Sequence, residues 1–148
     1  MDDIALMREI AKLQNQIDAL RTIQQGWQPV FLSVPLTSTS WNGDAFSTTA
    51  KTKIDLSAVF GTPAGIKAID VFVRLNDSAS ASANYWMALA PVDTASVGVF
   101  FQASTINDRQ NYGSAIIPCD ANGDIYYQIS ASGAGTMDVL MQIWGYWK

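Results

Sequence analysis

The chain contains no histidine and a single cysteine, Cys119. The first absence removes Ser-His-Asp and Cys-His catalysis and every zinc site that uses imidazole. A lone cysteine makes no intrachain disulfide and no multi-thiolate metal site, so Cys119 reads as a small buried apolar residue. Charge is also sparse, at 15% of 148 residues, with a net value of −4. An acidic chain has no basic footprint for phosphates, so a nucleic-acid partner is not expected. No apolar run approaches the ~18 residues of a membrane span. The opening Met1-Asp2-Asp3 is acidic, the reverse of a secretory leader, which predicts synthesis in the cytoplasm. Glutamate is nearly missing as well, Glu9 being the only one.

What is present is apolar and aromatic. Hydrophobic residues make up 49% of the chain and aromatics 11%. That excludes disorder and suits one globular domain with a small appendage. The appendage is the first 26 residues. Leu6, Ile10, Leu13, Ile17 and Leu20 follow one another at alternating spacings of four and three. This is a heptad seam, with isoleucine at a and leucine at d. Asp3 and Gln24 extend the a register, and Trp27 falls at the next d. Good helix formers fill the other positions, Gly26 stops the helix and Pro29 bars its return. The stripe is narrower than the face of a helix packed on its own domain, so it predicts a coiled-coil stem over residues 1–26. Isoleucine at a with leucine at d favours two strands.

From Trp27 to Lys148 the period changes to two. Ile69, Val71, Val73 and Leu75 alternate with Ala68, Asp70, Phe72 and Arg74. Similar alternation runs through 97–103 and 125–131. Further strands are expected at 30–36, 51–56, 85–89, 114–117 and 137–147. Turn signals such as Asn42-Gly43, Asn76-Asp77 and Asn122-Gly123 separate them. Eight strands and no second long helix predict a mainly β chain, with an antiparallel β-sandwich or jelly-roll head over 27–148. The Ser/Ala run at 78–84 reads as an exposed loop. The last strand is apolar on both faces: Met137, Val139, Met141, Ile143 and Trp147 on one, Leu140, Trp144 and Tyr146 on the other. A half-solvated strand is polar on one face, so Leu140, Trp144 and Tyr146 are candidates for an oligomer interface of the head.

No catalytic constellation stands out. There is no GxSxG, P-loop or GxGxxG, and Asp70, Asp93, Asp108 and Asp138 read as solvated aspartates rather than an acid/base pair. Asp120-Ala121-Asn122-Gly123-Asp124 resembles the start of a calcium loop but lacks the distal glutamate, and fits a hairpin turn better. No metal and no cofactor is therefore expected. Trp41, Trp86 and Tyr112 lie in or beside loops, with Asn84, Asn107, Asp108, Arg109 and Asn111 near them. Exposed aromatic rings stack on sugar faces, which makes these three the candidates for ligand binding.

Three runs carry a resemblance. LTSTSWNGDAFSTTAKTKIDLSAVF at 36–60, GTPAGIKAIDVFVRL at 61–75 and CDANGDIYYQISASGAGTMDVLMQIWGY at 119–146 resemble a domain of phage and prophage virion proteins, often called tail-fibre proteins. The resemblance implies a short fibre or decoration protein on the virion surface. Its helical stem would dock to a capsid or tail protein. It also implies a homotrimer, against the two-strand preference of the seam. It brings no catalytic motif with it. Two functions follow as expectations: a non-enzymatic virion structural component, or an adhesin that recognises a host cell-surface glycan through the head-loop aromatics.

Overall fold

A computed structural model describes residues 3–24, 26–38, 50–79, 85–94 and 97–148. Helix α1 spans Asp3–Gln24, and eight strands follow: β1 (Pro29–Thr37), β2 (Thr52–Ile54), β3 (Ala68–Asp77), β4 (Trp86–Ala90), β5 (Val99–Gln102), β6 (Asn111–Pro118), β7 (Ile125–Ser130) and β8 (Met137–Trp147). All eight overlap segments where the sequence predicts strands, three of them from alternation. A short helix, α2 (Leu56–Phe60), is additional. Asp55 caps it by accepting from the Ala58 amide at 2.9 Å. Gly61 closes it in the left-handed region, φ 73°. The Gly61 and Thr62 amides there reach back to the Ser57 and Leu56 carbonyls.

The strands form two antiparallel four-stranded sheets, ordered β1-β8-β3-β6 and β2-β7-β4-β5. The pairings nest: β1 with β8, β2 with β7, β3 with β6 and β4 with β5. Two further pairings, β3 with β8 and β4 with β7, complete the sheets. One core cluster draws on both, with Val71, Val73 and Ile143 from the first sheet meeting Met87, Leu89 and Ile129 from the second. The chain is thus mainly β, a sandwich-like pair of sheets preceded by one helix. Period-two alternation explains the packing, because the inward residues of β3 are the alternate ones expected. Pro29 and Pro35 lie on β1, an edge strand, where a missing amide breaks no interior ladder.

Register sets the two ends of the first sheet. Pro29, Ala68 and Pro118 meet Trp147 or one another at the end where α1 joins the head. Leu75, Asn111 and Val139 lie toward the far end, beyond which Asp77 pairs with Met137. At that far end Asp77 is a buried polar junction. Its carboxylate accepts from the Ser132 amide at 2.9 Å, from the Ala79 amide at 3.0 Å and from the Ser132 hydroxyl. Its carbonyl accepts from the Asp108 amide at 3.2 Å. Three connections are tied together there.

Strand β8 departs from strict alternation. Asp70 pairs with Gly145 and Val71 with Ile143, leaving Trp144 as an extra residue, a β-bulge. A bulge shifts the phase of everything beyond it by one residue. Tyr146, expected on a face with Leu140 and Trp144, lies instead against the core cluster. Trp147, expected on the core face, meets the exposed Phe31 edge to face with ring centroids 6.4 Å apart.

Candidate functional site

Helix α1 leaves its seam uncovered. Its described side chains, residues 6–18, are all exposed, and Leu6, Ile10, Leu13 and Ile17 stand 43–50% open to solvent. Leu20 has no described side chain. The narrow stripe therefore has no intrachain partner among the described residues. A Glu9–Lys12 ion pair at 3.7 Å lies one turn apart on the helix surface. No helix among the described residues is long and apolar enough to cross a membrane.

The three candidate ligand-binding aromatics do not converge. Trp41 lies outside the described residues. Trp86 stands on the outer face of the second sheet, edge to face with the exposed Phe100 at 5.1 Å. Tyr112 stands on the outer face of the first sheet, stacked on Phe72 at 5.9 Å. Tyr112 does border an open depression of about 550 Å³, with Ser104, Thr105, Arg109, Gln110 and Asn111 among its walls. Its hydroxyl donates to Gln110 Oε1 at 2.5 Å, and Asn111 Nδ2 donates to the Gln102 carbonyl at 2.8 Å. The depression lies at the far end, beside the connection from β5 to β6. Ser104, Thr105 and Gln110 carried no sequence signal, because polar loop residues look alike until the loop is folded. Asn107 is turned to its neighbour Asp108 at 3.3 Å, and Asp108 itself holds φ 56°. Asn84 is not among the described residues.

The acidic candidates are separate or already engaged. Asp138 pairs with Asn76, six positions along β3 from Asp70, so the two carboxylates are about 20 Å apart, beyond the reach of a glycosidase pair. Asp93 and Asp108 are exposed. In the Asp120–Asp124 turn, Asp120 Oδ1 accepts from the Asn122 and Asp124 amides, both at 2.9 Å. Asp124 meets the Lys53 ammonium at 2.6 Å and accepts from the Leu56 amide. These carboxylates are consumed by the fold, as a hairpin turn requires. Among the described residues no cluster of three metal-ligating side chains is found. Cys119 is half-buried against the core, and burial, helped by Asp120 and Asp124, pushes its thiol pKa up to about 12. Such a thiol is neutral and unreactive near pH 7.

Leu140 and Trp144 lie on the outer face of the first sheet, half-buried and exposed respectively. Sequence reasoning missed what shares that face: Phe31 at 72% exposure and Ile116 at 58%. Phe31 lies over Gly145, where a Cβ would meet its ring at 3.4 Å. No protein-family model and no curated protein matches the chain.

Proposed function

We propose that the chain is a non-enzymatic structural protein, a homotrimeric short fibre or decoration protein that displays its β head on a virion surface while the stem docks to a capsid or tail protein. The observation that carries this is the heptad seam of α1, exposed along its described length on a single chain. A helix of 22 residues is marginal alone in water, and a/d leucines and isoleucines left open to solvent are stabilised by burial against parallel copies. We read the head as a jelly roll, since nested pairing of β1 with β8 through β4 with β5 is the order of one long antiparallel ribbon folded into two Greek keys. The resemblance to virion proteins supports the setting and the choice of three copies.

The test is the mass of the full chain in solution by sedimentation and light scattering. Three times the chain mass is expected. Ile10→Asp with Ile17→Asp places charges on the seam and should give the single-chain mass with the β signature of the head intact. A wild-type chain that stays monomeric at tens of micromolar (roughly the range where weak interfaces form) overturns the stem, and a dimer overturns the trimer. Stoichiometric presence in purified particles of the encoding virus tests the location.

A second reading, an adhesin for a host surface glycan, draws on the far-end depression, where the Tyr112 ring stands beside Arg109 and Asn111. An aromatic wall with amide and guanidinium donors suits a saccharide. Saturable binding to host cells that Tyr112→Ala and Arg109→Ala abolish would support it. No binding by the assembled wild type would remove it.

A further inference from the structure

The geometry points to the stem-proximal half of the outer face of sheet β1-β8-β3-β6 as a surface that packs against a second copy of this chain. Phe31, Trp144, Trp147, Ile116 and Pro118 make up the accessible part of this half of the face, around the buried Ala68. Asp70 is the one charge among them. Farther along the same face the Phe72–Tyr112 stack and Leu140 are interspersed with polar groups, Arg74, Asn76 and Asp138. The stretch with few polar groups is the end where the chain arrives from α1.

Three observations select a second copy as the occupant. First, only residues 25–28 separate the end of α1 from β1, a reach of about 14 Å at full extension. Copies joined along the α1 seam therefore begin their β1 strands close to the common axis, and β1 is the edge of this sheet and not of the other. Second, the exposed apolar residues continue across that junction: Trp27 is 59% exposed, and Phe31, four residues later, is exposed as well. Third, the area complements what the seam offers. The whole face, four strands about 4.8 Å apart and about 33 Å long, presents about 600 Å² in projection, and this half about 300 Å². A standard interface takes about 800 Å² from each partner, so the seam supplies the larger share. The inference rests on the stem reading, because the helix is what brings the faces together.

The test uses the full-length chain. Ile116→Asp puts a charge on the proposed surface at a side chain the lone head leaves open, and Ile106→Asp does the same in an exposed loop outside it. Ile116→Asp should raise the concentration of half-dissociation roughly tenfold or more, while Ile106→Asp leaves it within about twofold. Hydroxyl-radical footprinting gives the second readout. Phe31, Trp144 and Trp147 should be protected in the wild-type oligomer and oxidised in the Ile10→Asp/Ile17→Asp chain. An oligomer in which Ile116→Asp is silent and these rings are oxidised at the monomer rate overturns this surface and leaves the stem standing. A wild-type chain of monomer mass overturns the stem and this surface together.

Discussion

Asp77 offers the sharpest test of how the far end of the head is held. Its side chain is 1% exposed, yet it is ionised and surrounded by donors. Burial raises its pKa, while the Ser132 hydroxyl and amide, the Ala79 amide and the Thr136 hydroxyl lower it, and the donors win. Replacing Asp77 by Ala strands the Ser132 and Ala79 amides without their acceptor. A charge-assisted hydrogen bond is worth about 1.5–3 kcal/mol, and such bonds in one network are not additive. The expected loss is about 3 kcal/mol, or about 10 °C in Tm for a chain of this size. Asp77→Asn keeps one acceptor oxygen and should lose less. The acid limb gives the sign. A carboxylate whose folded pKa lies below the ordinary 3.8 stabilises the fold above that value and loses its contribution as pH falls through the lower, folded pKa. Stability measured by urea unfolding from pH 6 downward should therefore fall steeply below pH 4 in the wild type and less steeply in Asp77→Asn. Equal slopes in the two proteins, or a Tm unchanged in Asp77→Ala, would refute this account of the junction.

The remaining predictions concern single positions. Gly123→Ala should cost about 3 kcal/mol, since φ is 89° there and a Cβ would stand 2.8 Å from the Gly65 and Ile66 amide nitrogens; thermal unfolding reads it directly. Cys119, with its pKa pushed up to about 12, should resist a disulfide reagent at pH 8 in the native chain and react at the rate of a free thiol in guanidinium. Thr62 Oγ1 is buried without a hydrogen-bond partner, so Thr62→Val should leave stability unchanged or raise it by about 1 kcal/mol, where a loss of Tm would show that the hydroxyl has a role.

Alternation made β3 legible because that strand buries one face, whereas β4 is buried on both and carries no alternation. Ile69, Val71, Val73 and Leu75 declare their side of β3 without any tertiary information, and the core confirms them. Helix α2 was less visible for a physical reason. Five residues carry no period, and only the pair Asp55 and Gly61, a cap at each end, marks it. The β8 bulge was invisible because alternation is read by counting, and one uncounted residue reverses every face beyond it. Tyr146 and Trp147 exchange sides for that reason alone. The candidate ligand aromatics show the opposite weakness. Trp86 and Tyr112 look equivalent as loop-side rings, but the pairing puts them on outer faces of different sheets. A site depends on which strands become neighbours, and in nested pairing those neighbours are far apart in sequence.

The helix and the sheet face each lack something that the other provides. About three heptads barely overcome the cost of nucleating a helix, so the α1 seam by itself specifies association weakly. The apolar half of the outer sheet face spans about 300 Å² in projection, too small alone for a stable complex. Joined by residues 25–28, they would act at high effective concentration in an assembly paired along the seam, since that linker reaches only about 14 Å. The bulge at Trp144 belongs to the same arrangement. Without it, Trp147 would point into the core and the face beside β1 would lose one of its three large rings, the others being Phe31 and Trp144. With it, an aromatic pair stands at the point where the stem enters. Deleting Trp144 removes the extra residue while Gly145, Tyr146 and Trp147 keep Asp70, Ile69 and Ala68 as partners, so Trp147 should stay outward and the face should lose only the Trp144 ring. That loss should weaken association more than Leu140→Ala on the far half of the face, as read by native mass spectrometry. Equal dissociation of the two would remove the Trp144 ring from the proposed surface.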